Sequence, residues 1–110
     1  MRTPEQRAEP RFAISRRGTL KSGEIWFPCL VQEMSKKGFF LVSNRAHTVG
    51  QSLDLRCALY PEKNLECKLE VRHVNETGIG ARIVAIDQKG SDLCQLYLQE
   101  QYADRLNRSG

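Results

Sequence analysis

Ser52-Leu53-Asp54-Leu55-Arg56-Cys57-Ala58-Leu59-Tyr60 and, after a short break, Leu65-Glu66-Cys67-Lys68-Leu69-Glu70-Val71 carry an apolar residue at every second position. In an extended chain successive side chains point to opposite faces, so Leu53, Leu55, Cys57 and Leu59 share one face and Leu65, Cys67, Leu69 and Val71 share another. Period two over this length marks half-buried strands, and two such faces in sequence make the start of a core. Like charges opposite one another in an antiparallel pair cost a few tenths to ~1 kcal/mol, which disfavours Arg56 against Lys68 and Asp54 against Glu70. A shift of two residues keeps the core face and sets Arg56 against Glu70 and Asp54 against Arg72, and this register is expected. It leaves Cys57 and Cys67 diagonal to each other and unbridged.

Outward from this pair, β-rich segments recur about every ten residues: Phe12 to Leu20, Trp26 to Gln32, Phe39 to Ser43, Ser52 to Tyr60, Leu65 to Val74 and Ile79 to Ile86. Ser22-Gly23, Lys36-Lys37-Gly38, Val49-Gly50, Pro61 to Asn64 and Thr77-Gly78 separate them, residue types that supply positive φ or pre-set a turn. Such a pattern is that of an all-β barrel or sandwich. Trp26 and Phe27, at a strand start, are read as core or end packing. Ser91 is placed to cap a helix from Asp92 to Leu106, with Asp92 in its favourable first turn. Leu93, Leu96 and Tyr97 form one apolar stripe of this helix, and Cys94, Leu98 and Tyr102 an adjoining one; together they plug one end of the β unit or, failing that, seat a second copy. The whole of 1–110 reads as one domain, with a basic flexible arm over 1–11, the β unit over 12–86 and the helix over 91–106.

Composition narrows the function. The net charge of +4 resides entirely in residues 1–21, where six basic side chains outnumber two acidic ones; the remainder carries eleven of each. That stretch is either a solvated tail or an arm placed to meet phosphate. No apolar run reaches the ~18 residues of a membrane span, and the N-terminus is charged where a signal peptide would be apolar, so a cytoplasmic protein without membrane contact is expected. Cys29, Cys57, Cys67 and Cys94 contain no C-x-x-C pair, and neither His47 nor His73 stands at ligand spacing from them, so no metal is expected and the cysteines read as small core hydrophobes. No Ser/His/Asp order or glycine-rich phosphate loop suggests an enzyme.

Two short elements carry recognition chemistry. Arg7-Ala8-Glu9-Pro10-Arg11 sets two guanidinium forks at an R-x-x-x-R spacing, suited to bidentate capture of phosphate or of the O6/N7 edge of guanine. Glu33-Met34-Ser35-Lys36-Lys37-Gly38 reads structurally as a turn, with Gly38 at positive φ and Ser35 bonded to nearby backbone. Functionally the same turn offers a carboxylate, a hydroxyl and a glycine of close approach. His73, seven residues before Gly80, shares the strand parity of Val71, so it is either a core or rim histidine or a partner for a stacked base.

In this order, with six strands, these elements resemble the PilZ family of cyclic di-GMP receptors, whose signatures are R-x-x-x-R and, about twenty residues on, [D/N]-x-S-x-x-G. Thr77-Gly78-Ile79-Gly80-Ala81-Arg82-Ile83-Val84 is similar to the family's last strand. The resemblance implies a six-stranded antiparallel barrel with a C-terminal helix, no catalytic residues and no cofactor. It further implies a cyclic di-GMP site drawn from Arg7, Arg11, Glu33, Ser35, Gly38, His73 and Gly80, with the two arginines clamping guanine and phosphate. Gln6 stands where some relatives have a further arginine, which implies one ligand per chain. Glu33 departs from the family's Asp or Asn by one methylene, enough to displace the carboxylate from a well-made hydrogen bond. Three functions follow: a receptor that passes ligand capture to a downstream protein, a PilZ-like adaptor that has dropped the ligand, and a small barrel binding RNA or single-stranded DNA, the last requiring aromatic rings exposed on a sheet face.

Overall fold

A computed structural model of the chain describes residues 10–109, so of the expected arm only Pro10 and Arg11 lie within it. Six strands follow in order: β1 (Phe12–Ser22), β2 (Ile25–Met34), β3 (Gly38–Ser43), β4 (Ser52–Tyr60), β5 (Lys63–Asn75) and β6 (Gly78–Ile86), with helix α1 (Gln88–Ser109) after them. All pairings are antiparallel, and the sheet closes in the order β1-β2-β3-β6-β5-β4, with β1 meeting β4 through Gly18 opposite Cys57 and Leu20 opposite Leu55. The alternating faces expected on β4 and β5 are the core: Leu53, Leu55, Cys57, Leu59, Leu65, Leu69 and Val71 are fully buried, joined by Leu20, Val31, Met34 and Leu41 from the other wall. Burying one Leu or Val side chain contributes ~1.5–3 kcal/mol, so these residues dominate the stability.

The β4–β5 register differs from both that the charge argument compared. Arg56 faces Glu66 and Asp54 faces Lys68, each partner four residues nearer the turn than expected. A tight connection sets this: Tyr60 pairs with Lys63, leaving only Pro61 and Glu62 between them, and Glu62 has φ 62°. Proline followed by a positive φ is the pattern of a type II turn, though its second position favours Gly or Asn and a glutamate there gives no signal in sequence. The charge rule survives in the new register: Arg56 Nε lies 3.7 Å from Glu66 Oε2, and Lys68 Nζ lies 3.1 Å from Asp54 Oδ1. Cys57 and Cys67 remain diagonal, and all four cysteines are free and buried.

Helix α1 begins earlier than expected. Asp87, not Ser91, caps it: Asp87 Oδ1 accepts from the Gly90 amide at 2.7 Å and the Asp87 carbonyl accepts from the Ser91 amide at 2.9 Å. Asp92 thus falls in the second turn, where its carboxylate accepts from Gln88 Nε2 at 2.8 Å. The helix covers one end of the barrel through buried Cys94 and Tyr97, flanked by half-buried Leu93 and Leu98. Leu96 and Tyr102, expected in the apolar stripes, are 44% and 50% exposed, because neighbouring helical residues diverge by about 100° and the side holding Tyr97 is the side against the barrel. The Tyr97 ring meets Tyr60 edge-on at 5.6 Å, its hydroxyl accepts from Arg16 Nε at 3.3 Å, and Tyr60 donates to Glu100. Trp26 also departs from expectation: Phe27 is buried, but Trp26 is 43% exposed on the outer face, with Arg56 at 4.6 Å and Lys21 at 5.6 Å from its ring.

Two outcomes follow. Asp87→Ala should lower the unfolding free energy by about 1 kcal/mol in urea titration, whereas Ser91→Ala should change it by less than ~0.5 kcal/mol. Burial pushes the thiols up, Cys29 and Cys67 to about 12 and Cys57 and Cys94 to about 11, from 9.0. Since the thiolate is the reactive form, native protein at pH 8 should resist a thiol reagent that labels all four cysteines in denaturant. Their folded values being raised, their contribution to stability is whole below pH 9 and declines as pH rises through 11 to 12.

Candidate functional site

Two β-bulges prepare the walls of a cleft on the outer surface of the barrel. On β2, Phe27, Cys29 and Val31 point inward, and strict alternation would send Glu33 in after them. An irregularity between Val31 and Glu33 turns Glu33 outward and returns Met34 to the core. On β5, Leu65, Cys67, Leu69 and Val71 point inward, and alternation would bury His73. A second irregularity, between Val71 and His73, turns His73 out opposite Gly80. The expectation that His73 follows Val71 is thus corrected, since the extra residue of a bulge reverses parity beyond it.

Between these walls lies a cleft of about 790 Å³, lined among others by Arg11, Glu33, Ser35, Gly38, His73 and Gly80. Six of the seven residues singled out in sequence therefore converge on one cavity; the seventh, Arg7, lies outside the described residues. Arg11 Nη1 approaches Glu33 Oε1 at 3.9 Å, with both side chains well exposed. Ser35 Oγ accepts from the amides of Lys37 and Gly38, each at 3.3 Å, and the Ser35 amide donates to the Gly38 carbonyl at 2.9 Å, the backbone bonding expected of this turn. Gly38 has a different role from the one expected, for its φ is not positive. It lies where β3 and β6 press together: a Cβ there would stand 2.1 Å from the Ala81 carbonyl oxygen. Gly80 is under no such pressure, since an added Cβ would meet only the His73 Cβ, at 3.5 Å. Its missing side chain leaves open space beside the imidazole.

The orientation of His73 is set by Asn75. Asn75 Oδ1 accepts from the Thr77 amide, the Thr77 hydroxyl and the Gly78 amide at 2.8, 2.7 and 3.0 Å, which fixes the amide nitrogen on the other side, donating to His73 Nε2 at 3.2 Å. His73 Nε2 is then an acceptor, and the neutral ring carries its proton on Nδ1. Sequence reading did not single out Arg72 and Arg82, which also line the cleft. The available signal was adjacency: Arg72 precedes His73, and Arg82 shares the strand face of Gly80 two residues on. With Arg11 and Lys37 they make the cleft cationic, suited to an anion that also presents a flat ring to His73 and Gly80. Among the described residues no cluster of His, Cys, Asp or Glu suits a metal ion, and no helix is long and apolar enough to cross a membrane.

The PilZ domain family model matches residues 5–100, spanning both motifs and the whole barrel. The chain belongs to the PilZ family. No curated protein matches it. Among solved structures, the Bacillus subtilis inhibitor of motility MotI/DgrA shares the PilZ fold with a TM-score of 0.70 at 19% identity, over 90% of this chain and 50% of that one. The present chain thus spans about half the length of that protein. Within this PilZ domain the two glycines of the cleft carry separable duties, Gly38 to the sheet and Gly80 to the cavity. Gly38→Ala should destabilise the domain by ~1–3 kcal/mol through overpacking against backbone, whereas Gly80→Ala should leave the melting transition nearly unchanged; thermal unfolding of the two variants checks this.

Proposed function

We propose that this PilZ domain is a receptor for cyclic di-GMP that relays capture of the ligand to a protein partner. The observation that carries the reading is the convergence of Arg11, Glu33, Ser35, Gly38, His73 and Gly80 on one cleft, although they come from four strands, a turn and the segment before β1. The cavity's volume falls within the ~300–1,000 Å³ of small-molecule sites. Cyclic di-GMP presents two phosphates and two guanines. Arg11, together with Arg7, meets phosphate or the guanine O6/N7 edge, and His73 beside Gly80 meets the flat face of a base. No bond is made or broken, so neither cofactor nor catalytic group is required.

Relay to a partner is supported by a second cavity, an apolar groove between β6 and α1 whose floor includes Phe12, Ile83, Leu98 and Tyr102. Lys37 and Arg82 line both cavities, and Pro10 borders the groove while Arg11 borders the cleft. An anion drawing on Arg82 or Arg11 therefore alters the rim of the groove. MotI/DgrA, as an inhibitor of motility, supports the view that this fold serves regulation. The adaptor reading draws on one observation, the pairing of Arg11 with Glu33, which occupies a motif arginine in the free protein. That pair is exposed and 3.9 Å apart, and exposed pairs contribute ~0–1 kcal/mol, less than one charge-assisted bond to a ligand at ~1.5–3 kcal/mol. The ligand wins this comparison. A nucleic-acid track is disfavoured because Trp26, the aromatic ring exposed on the outer face of β2, does not line the cleft.

Calorimetric titration with cyclic di-GMP, with GTP and a short oligonucleotide as controls, tests the reading. Binding at one ligand per chain is expected. Arg11→Ala should weaken it at least tenfold, Glu33→Asp should tighten it severalfold by shortening the carboxylate arm, and Glu33→Ala should move it by less than about fivefold. No heat from the parent chain at millimolar cyclic di-GMP replaces the receptor with the adaptor, and tighter binding of the oligonucleotide replaces it with the nucleic-acid reading.

A further inference from the structure

The cleft has a second cationic wall that neither motif contains. Glu70 and Arg82 are direct cross-strand partners on β5 and β6, and Arg72 follows Glu70 by two residues on β5. A single carboxylate oxygen, Glu70 Oε1, accepts from Arg72 Nη1 and from Arg82 Nη2, each at 3.3 Å. Well-made bonds between guanidinium and carboxylate run ~2.7–2.9 Å and are often bidentate, so both arginines are held loosely and by one atom each. Two positive charges against one negative leave the group at net +1. The arginines line the cleft while Glu70 stands behind them, its side chain 35% exposed against 57% for Arg72 and 52% for Arg82.

We propose that Arg72 and Arg82 form a second phosphate-binding subsite of the cleft, with Glu70 as an internal placeholder that a ligand phosphate displaces. The inference rests on the reading of this cleft as a nucleotide site and specifies its ligand class: an anion with two phosphate groups, one taken by the arm arginines and one by the β5–β6 wall. Each guanidinium has five donors, of which Glu70 engages one, so an incoming phosphate gains several bonds before Glu70 is released. Glu70 then sets the affinity: by holding the arginines it orders them in the free protein, and by competing for them it lowers the gain on binding. Arg82 borders the apolar groove as well, so exchange at this subsite occurs at the boundary of the surface proposed for the partner.

The test compares the parent with Glu70→Gln, Arg72→Gln, Arg82→Gln and Glu66→Gln. The last removes the same charge from the same strand but at Arg56, which does not line the cleft. Calorimetry measures cyclic di-GMP, and amide chemical shifts measure inorganic pyrophosphate. Glu70→Gln should tighten binding about two- to fivefold, each arginine variant should weaken it at least threefold, and Glu66→Gln should leave it unchanged, with thermal melts confirming that all five fold. If the parent binds cyclic di-GMP, those affinities decide: arginine variants equal to the parent, or Glu66→Gln tightening as much as Glu70→Gln, overturn the subsite while leaving the receptor reading intact. If the parent does not bind cyclic di-GMP, the receptor reading fails by itself and the pyrophosphate series decides on the same criteria, with undisplaced Arg72 and Arg82 amides overturning the subsite.

Discussion

The closure of β1 onto β4 is the constraint from which the rest of this molecule follows. It leaves the sheet without a free edge and forces six inward faces into one apolar interior. Closure demands close backbone approach: a Cβ at Gly18, on the β1–β4 seam, would lie 2.9 Å from the Arg56 carbonyl oxygen, and Gly38 fills the same need between β3 and β6. With Leu and Val occupying the interior, no polar side chain among the described residues is left buried without a hydrogen-bond partner. Every charged group among the described residues is thereby consigned to the outer surface, where recognition has to take place.

An outer surface of regular strands would be a poor site, because alternation sends half of each strand inward regardless of chemistry. The bulges on β2 and β5 answer this difficulty. Each inserts one residue, and each thereby moves a polar side chain, Glu33 or His73, out of the path to the core and into the cleft. The core regains register on β2 at once with Met34, and on β5 the strand runs out into the Asn75-centred turn that holds His73. Stability and recognition thus share the same strands without sharing side chains, and Gly38, which belongs to the recognition motif by sequence, proves to serve the sheet.

The far end of the barrel shows how a polar cluster substitutes for further apolar surface. The α1 face is narrow, and Arg16, Tyr60, Tyr97 and Glu100 extend it by ring contact and hydrogen bonding where leucines would otherwise be needed. Arg16 reaches this position because β1 is itself irregular between Ala13 and Arg16, with Ser15 at φ 53°. Arg105 then ties the helix back to the strand entrance, donating to the Arg11 carbonyl at 3.0 Å and stacking over Phe12 at 4.2 Å. The helix is consequently coupled to the same segment that carries a motif arginine.

Sequence alone determined the six strands, the buried faces of β4 and β5 and the unbridged cysteines, because alternation and turn chemistry are local properties that each strand displays by itself, while the resemblance to a family joined the two distant motifs. Tertiary structure decided the β4–β5 register, through a positive φ at Glu62 that no residue preference announces. It also decided the helix start, through the reach of Asp87 to the Gly90 amide, and the outward turn of Glu33 and His73, through bulges that depend on the neighbouring strand. Arg72 and Arg82 became visible as one cationic wall only when β5 and β6 were laid side by side. Pairing partners in a closed sheet are chosen by the fit of all six strands together, and that sum is not written in any one of them.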